Sequence, residues 1–229
     1  MSDLHEAIDY YRNWWKWQLD FMAGDSSKIH RQIIITSMLD TFAQESSNYS
    51  RDNQKAFSDF LKSHCKRYNG ILTSICPITL FYDCFDGTSE KLCLTQSRIY
   101  KADEKRVIDE GERLINLLPD KQKERARKRH SYAGLIYAMR NKLVHEFLWL
   151  NMPINFCEDE EEQIPHVACK SVMKSGKLQF DSWCLYIPYD FILNVANDAV
   201  ENYLEYCLQN NHRPFDNDSR KCFKAWYDD

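Results

Sequence analysis

Arg140, Asn141 and His145 stand in the stretch YAMRNKLVHEFLWL, residues 137–150, where polar groups interrupt an otherwise apolar helical pattern. An imidazole moves protons near neutral pH. A guanidinium never deprotonates and grips non-bridging phosphate oxygens with paired donors. Asn141 is placed to orient the imidazole or to donate to a phosphate oxygen. Together these types suit RNA cleavage by the 2′-hydroxyl, which needs a proton removed, a proton delivered and charge stabilised on the phosphorane. Five helical residues rise about 7.5 Å and rotate about 140°. One copy of the pair therefore converges poorly on a single phosphate, whereas two motif helices related by a twofold axis would surround one.

Spacing alone is weak evidence. With 13 arginines and 7 histidines, about 0.4 R-x4-H pairs arise by chance. The chain carries a second pair, Arg125 and His130, in RARKRH. Context separates the two. Tyr132, Leu135, Ile136, Met139 and Leu143 recur at spacings of three and four, marking a buried face beside Arg140. Asn141 and His145 project from one side of that helix. Around Arg125 most neighbours are charged, as on an exposed first turn, so the Arg140 pair is read as the organised one. The basic run Lys121–His130 begins the same expected helix, about 120–150. Its Arg125, Arg127, Lys128 and Arg129, with Lys142 further on, form a candidate phosphate track. Surface pairing with nearby acids is the competing reading of that run.

The elements that must hold this helix are mostly helical themselves. Residues 3–22 carry one stripe from Leu4 through Trp15 to Met22 and a second of Tyr10, Trp14, Trp17 and Phe21, with core packing favoured over a binding surface. A second helix over 29–44 embeds Asp40 among apolar residues, where a buried acid needs a partner. Glu45 is read as a helix-end residue in preference to a place beside Asp40 in the site. Further helices are expected at 52–67 and over ADEKRVIDEGERLINLLPD, ended by Pro119. The run ILTSICPITLFYDCF is split by Pro77 and reads equally as strand or helix. Five acids, Glu158–Glu162, form a solvated loop, a candidate cover for a basic cleft. A β-hairpin follows around Ser175-Gly176, and a last helix spans Tyr189–Gln209. The lone histidines His5, His30, His64, His166 and His212 read as surface or capping residues.

The pattern Arg140-Asn141-x3-His145 late in a long helix, followed by an acid and an aromatic, resembles the HEPN superfamily. Asp40 in IIITSMLDTFAQ resembles the acid of an early helix in that fold. The resemblance implies a mainly α, HEPN-like helical bundle, here with a small β-hairpin insertion before the last helix. It covers residues 29–150 and 189–209. On this reading 1–229 is a single domain: an aromatic N-terminal helix (1–28), a bundle core with the motif helix (29–150), an acidic loop and hairpin (151–188), and a final helix with tail (189–229). It implies a metal-independent endoribonuclease of toxin–antitoxin, phage-defence or stress-response type. Arg140, His145 and Asn141 would be catalytic, Asp40 the supporting acid, and the active form a homodimer with a composite site. The alternative is a non-catalytic HEPN-fold module that binds nucleotide, RNA or protein. HEPN toxins paired with a minimal nucleotidyltransferase antitoxin typically carry a tyrosine two residues after the histidine. This chain has His145-Glu146-Phe147, so control through that hydroxyl is not expected, although an antitoxin or other regulatory protein remains an expected partner.

Composition narrows the classes. The net charge of −4 gives no global nucleic-acid signature, so any such signature must be local. No apolar run reaches membrane-spanning length, and the N-terminus lacks a signal-peptide pattern, so a cytoplasmic protein is expected. The nine cysteines include no CxxC pair, so reduced thiols are expected and neither a metal site nor a cofactor.

Overall fold

The apolar stripes become helices in the computed structural model of the chain, which describes residues 2–23, 28–96, 98–142, 154–157, 164–174 and 177–215. The fold is mainly helical with a small sheet. It forms two compact units, Met1–Arg67 with Ala196–Asp229, and Tyr68–Val195.

The first unit contains α1 (Ser2–Ala23), α2 (Lys28–Ser46), α3 (Asn53–His64) and most of α9 (Tyr189–Gln209). Its core is aromatic. Trp15 meets Phe42 edge-on at 6.2 Å, and Tyr203 packs against Phe42 and Phe60 at 6.1 and 5.6 Å. The indole N–H of buried Trp15 donates to Asn197 Oδ1 at 2.9 Å, so the ring is buried without an orphaned donor. The stripe expected to join this core behaves differently: Tyr10, Trp17 and Phe21 are exposed, and Trp17 and Phe21 stack on each other. A helix has only one face toward a given core, and Ile8 and Trp15 occupy it. Asp52 starts α3 by accepting from the Lys55 amide at 2.9 Å.

The second unit carries α4 (Asn69–Thr73), α5 (Pro77–Cys84), β1 (Tyr100–Lys101), α6 (Lys105–Leu117), α7 (Asp120–His130), α8 (Tyr132–Asn141), β2 (Ile154–Cys157), β3 (His166–Lys174) and β4 (Lys177–Pro188). The ambiguous run at 71–85 resolves as two short helices flanking an extended segment at 74–76. Pro77 sits in the first turn of α5, where its missing N–H costs nothing. Ile75, Leu80, Leu114, Ile115, Leu118 and Ala126 form the core beneath α5, α6 and α7. Gly111 lets α6 close on that segment: a Cβ there would stand 2.5 Å from the Ile75 carbonyl oxygen.

The single helix expected over 120–150 is not formed, because α7 and α8 meet at a break on Ser131. Ser131 is extended, and its hydroxyl accepts from the Gly134 amide at 3.2 Å as the cap of α8. The extended segment takes up the backbone groups that the break exposes. Cys76 N–H donates to His130 O at 2.9 Å, and Tyr132 N–H donates to Ser74 O at 3.2 Å. A Cβ on Gly134 would collide with the Lys128 carbonyl, so the corner needs glycine. Residues 143–150 lie outside the described residues.

The expected hairpin is present as antiparallel β3 and β4, with an irregularity between Lys170 and Ser171. It is the middle of a four-stranded sheet of order β1-β3-β4-β2, in which β2 runs parallel to β4 and β1 antiparallel to β3. Two-residue β1 is too short for any periodic signal. The Trp183 amide donates to the Tyr82 hydroxyl at 3.0 Å, tying the sheet to α5. Among the described residues no helix is long and apolar enough to cross a membrane.

Candidate functional site

Buried Tyr132, Leu135, Ile136 and Met139 anchor α8 in the second unit and carry Arg140 and Asn141 at its C-terminal end. Both side chains are half-buried, and Arg140 Nη1 donates to Asn141 Oδ1 at 2.9 Å. The amide thus fixes the guanidinium from the next position along the chain. Lys142 follows, also half-buried. His145, and with it the second half of the motif, lies outside the described residues, as does the acidic run Glu158–Glu162. Asp40 is buried in α2 and belongs to the first unit, whereas Arg140 belongs to the second. Glu45, near the end of α2, reaches residues distant in sequence: its Oε1 accepts from the Phe215 amide at 3.0 Å and lies 3.2 Å from His212 Nε2. Burial raises the Glu45 carboxyl above its ordinary range, against the lowering effect of those two hydrogen bonds.

The basic run is partly engaged by acids. Both terminal nitrogens of Arg127 donate to the Glu112 carboxylate, at 2.7 and 2.6 Å, in a two-pronged pair between α6 and α7. Lys123 pairs with Asp120 at 2.8 Å, and Arg129 with Asp83 at 3.2 Å. Arg125 is exposed and Lys128 half-buried. Surface pairing with acids therefore describes much of this run.

His130 of the second R-x4-H pair, read from the sequence as unorganised, is held in a polar cluster. His130 is 1% exposed and ends α7. Its Nδ1 lies 3.2 Å from Thr79 Oγ1 and its Nε2 lies 3.0 Å from Asp83 Oδ2. Burial holds its pKa below the ordinary 6.5, outweighing the raising effect of Asp83. Arg125, Arg129, Gln122 and Cys84 share with it a cavity of about 210 Å³. Among the described residues Asp83, Cys84 and His130 bring one oxygen, one sulfur and one nitrogen within 4.8 Å of one another. No metal ligands were expected, because an adjacent Asp-Cys with a histidine 47 residues after the aspartate makes no recognisable spacing. A helix reading in which His130 lay mid-helix on a charged face concealed it. The break at Ser131 turns it inward.

His166 also departs from the expected surface role. It is buried on β3, directly opposite Tyr186 on β4, and the rings stack at 5.2 Å and 8°. His64 is half-buried against Phe60, Tyr203 and Tyr206, and burial lowers its pKa.

The chain matches no known protein family, no curated protein and no solved structure.

Proposed function

We propose that the chain is a HEPN-type, metal-independent endoribonuclease in which Arg140, Asn141 and His145 act at the phosphate undergoing 2′-hydroxyl attack. The observation that carries this reading is the Arg140–Asn141 pair: a guanidinium held by its neighbouring amide, half-buried, at the end of a helix whose other face is core. A preorganised arginine can stabilise the phosphorane without first paying to order its side chain. His145, four residues beyond Asn141, supplies the proton chemistry. The active form is a homodimer in which the motif helices of two copies share one cleft. RNA is the substrate, Arg125, Lys128 and Lys142 contribute phosphate contacts, and an antitoxin or regulatory protein restrains the activity.

Incubation of the purified chain with structured and single-stranded RNA in EDTA tests this directly. Products ending in 2′,3′-cyclic phosphate are expected. RNA binding without cleavage would instead support a non-catalytic RNA-binding module, and absence of any RNA affinity would remove the nuclease reading and favour a protein-interaction role.

A further inference from the structure

We propose that Asp83, Cys84 and His130 bind a divalent transition-metal ion, with zinc the best match to their donor atoms. The site is independent of the Arg140 motif. Asp83 and Cys84 close the last turn of α5, and His130 ends α7, so an ion would pin two helix termini together.

Three features of the geometry carry the inference. The first is convergence: the donor atoms lie within 4.8 Å of one another, with Asp83 Oδ2 and His130 Nε2 at 3.0 Å. Tetrahedral zinc, with bonds of about 2.0 Å to nitrogen or oxygen and about 2.3 Å to sulfur, sets its ligands about 3.4 Å apart. Seating it asks for rotation of the Cys84 and Asp83 side chains, and Cys84 is exposed enough to turn.

The second is how the imidazole is held. Thr79 Oγ1 lies 3.3 Å from Cys76 O and 3.2 Å from His130 Nδ1. When the Thr79 hydroxyl donates to that carbonyl, its oxygen accepts from Nδ1–H, and the Nε2 lone pair faces the Asp83 carboxylate. In that tautomer two acceptors face each other at 3.0 Å, an arrangement that a bound metal ion relieves. A ligating histidine whose other nitrogen is fixed by a polar group has this arrangement. Without metal, the neutral imidazole carries its one ring proton on Nε2 toward Asp83, and Nδ1 accepts from the Thr79 hydroxyl.

The third is donor chemistry. A mixed sulfur, nitrogen and oxygen set suits zinc and its neighbours over magnesium or calcium, which prefer oxygen. The fourth position opens to the cavity of about 210 Å³, leaving room for water. On binding, the Cys84 thiol loses its proton to solvent as the sulfur–metal bond forms. Arg129 opposes the ion, since its Nη1 lies 3.2 Å from the same Asp83 oxygen.

Titration of the full-length protein with cobalt(II), followed by displacement with zinc against a competing chelator, tests the site. One equivalent of cobalt should bind with a thiolate-to-cobalt charge-transfer band. The exposed Cys84→Ser change should abolish the band and weaken binding about 100-fold or more, while Cys93→Ser should leave both intact. Asp83→Asn should weaken binding comparably. Arg129→Gln should tighten it, a result that an ion pair with no metal role would not produce. Absence of the band in the wild-type protein, or its persistence in Cys84→Ser, would overturn the proposal.

Discussion

His130 shows how far a residue's surroundings can depart from its sequence neighbourhood. Charged residues flank it on α7, yet it is buried between Thr79 and Asp83 of α5, with Arg129 on Asp83 from the other side. Burial lowers its folded-state pKa below the ordinary 6.5. The unfolded chain therefore takes up a proton at His130 before the folded chain does. The associated stability is complete above pH 6.5 and is lost as pH falls from there through the depressed folded value. Urea unfolding at about pH 7.5 and about pH 5.5 should show the wild type losing more stability than His130→Gln over that interval. Equal losses would mean that His130 titrates alike in both states. The arginines of the same helix divide in a similar way. Arg127 is committed to Glu112 by two short hydrogen bonds, whereas Arg125 is exposed beside the cavity. Arg125→Ala should reduce the slope of log binding constant against log salt for RNA by about 1, and Arg127→Ala by less. The sequence shows six basic residues in a row of ten, but which of them face acids depends on α6 and α5 lying alongside.

Most helices were legible from apolar spacing. α1, α2, α3, α6 and α9 fall within a few residues of where the stripes place them, because each turns an apolar face toward a core. The boundary between α7 and α8 was missed because basic and apolar stretches can share one continuous helix. Its cause is tertiary: the segment at 74–76 captures the backbone groups of His130 and Tyr132. The local signals, Ser131 as cap and Gly134 three residues on, are readable only once that segment is known. Gly134→Ala should force the helices apart at the Lys128 carbonyl and cost about 1–3 kcal/mol, more than the roughly 1 kcal/mol expected for losing the cap in Ser131→Ala. Denaturant midpoints of the two variants decide the order, and an innocuous Gly134→Ala would mean that the corner is loose. On α1 the two aromatic stripes should separate in the same measurement. Trp15→Ala should cost about 3–5 kcal/mol and Trp17→Ala no more than about 0.5, since Trp15 is 1% exposed and Trp17 60%.

At the scale of the whole molecule, the proposed chemistry depends on two copies. An ideal helix would set residues five apart about 140° from each other, so the proposal has the phosphate contacted by Arg140 and His145 of different copies. Arg140 and Asn141 were singled out in sequence and hydrogen-bond to each other at the end of α8, while the role of Asp40 was suggested by resemblance alone. The most direct measurement is RNA cleavage in EDTA by the wild type, by Arg140→Ala and His145→Ala separately, and by an equal mixture of the two variants unfolded and refolded together, with folding checked by circular dichroism. The account predicts that each folded variant alone loses about 100-fold or more. The mixture should regain part of the activity, since its mixed dimers join an arginine from one copy to a histidine from the other. Cleavage by either variant at the wild-type rate, or a mixture as inactive as its components, would contradict it.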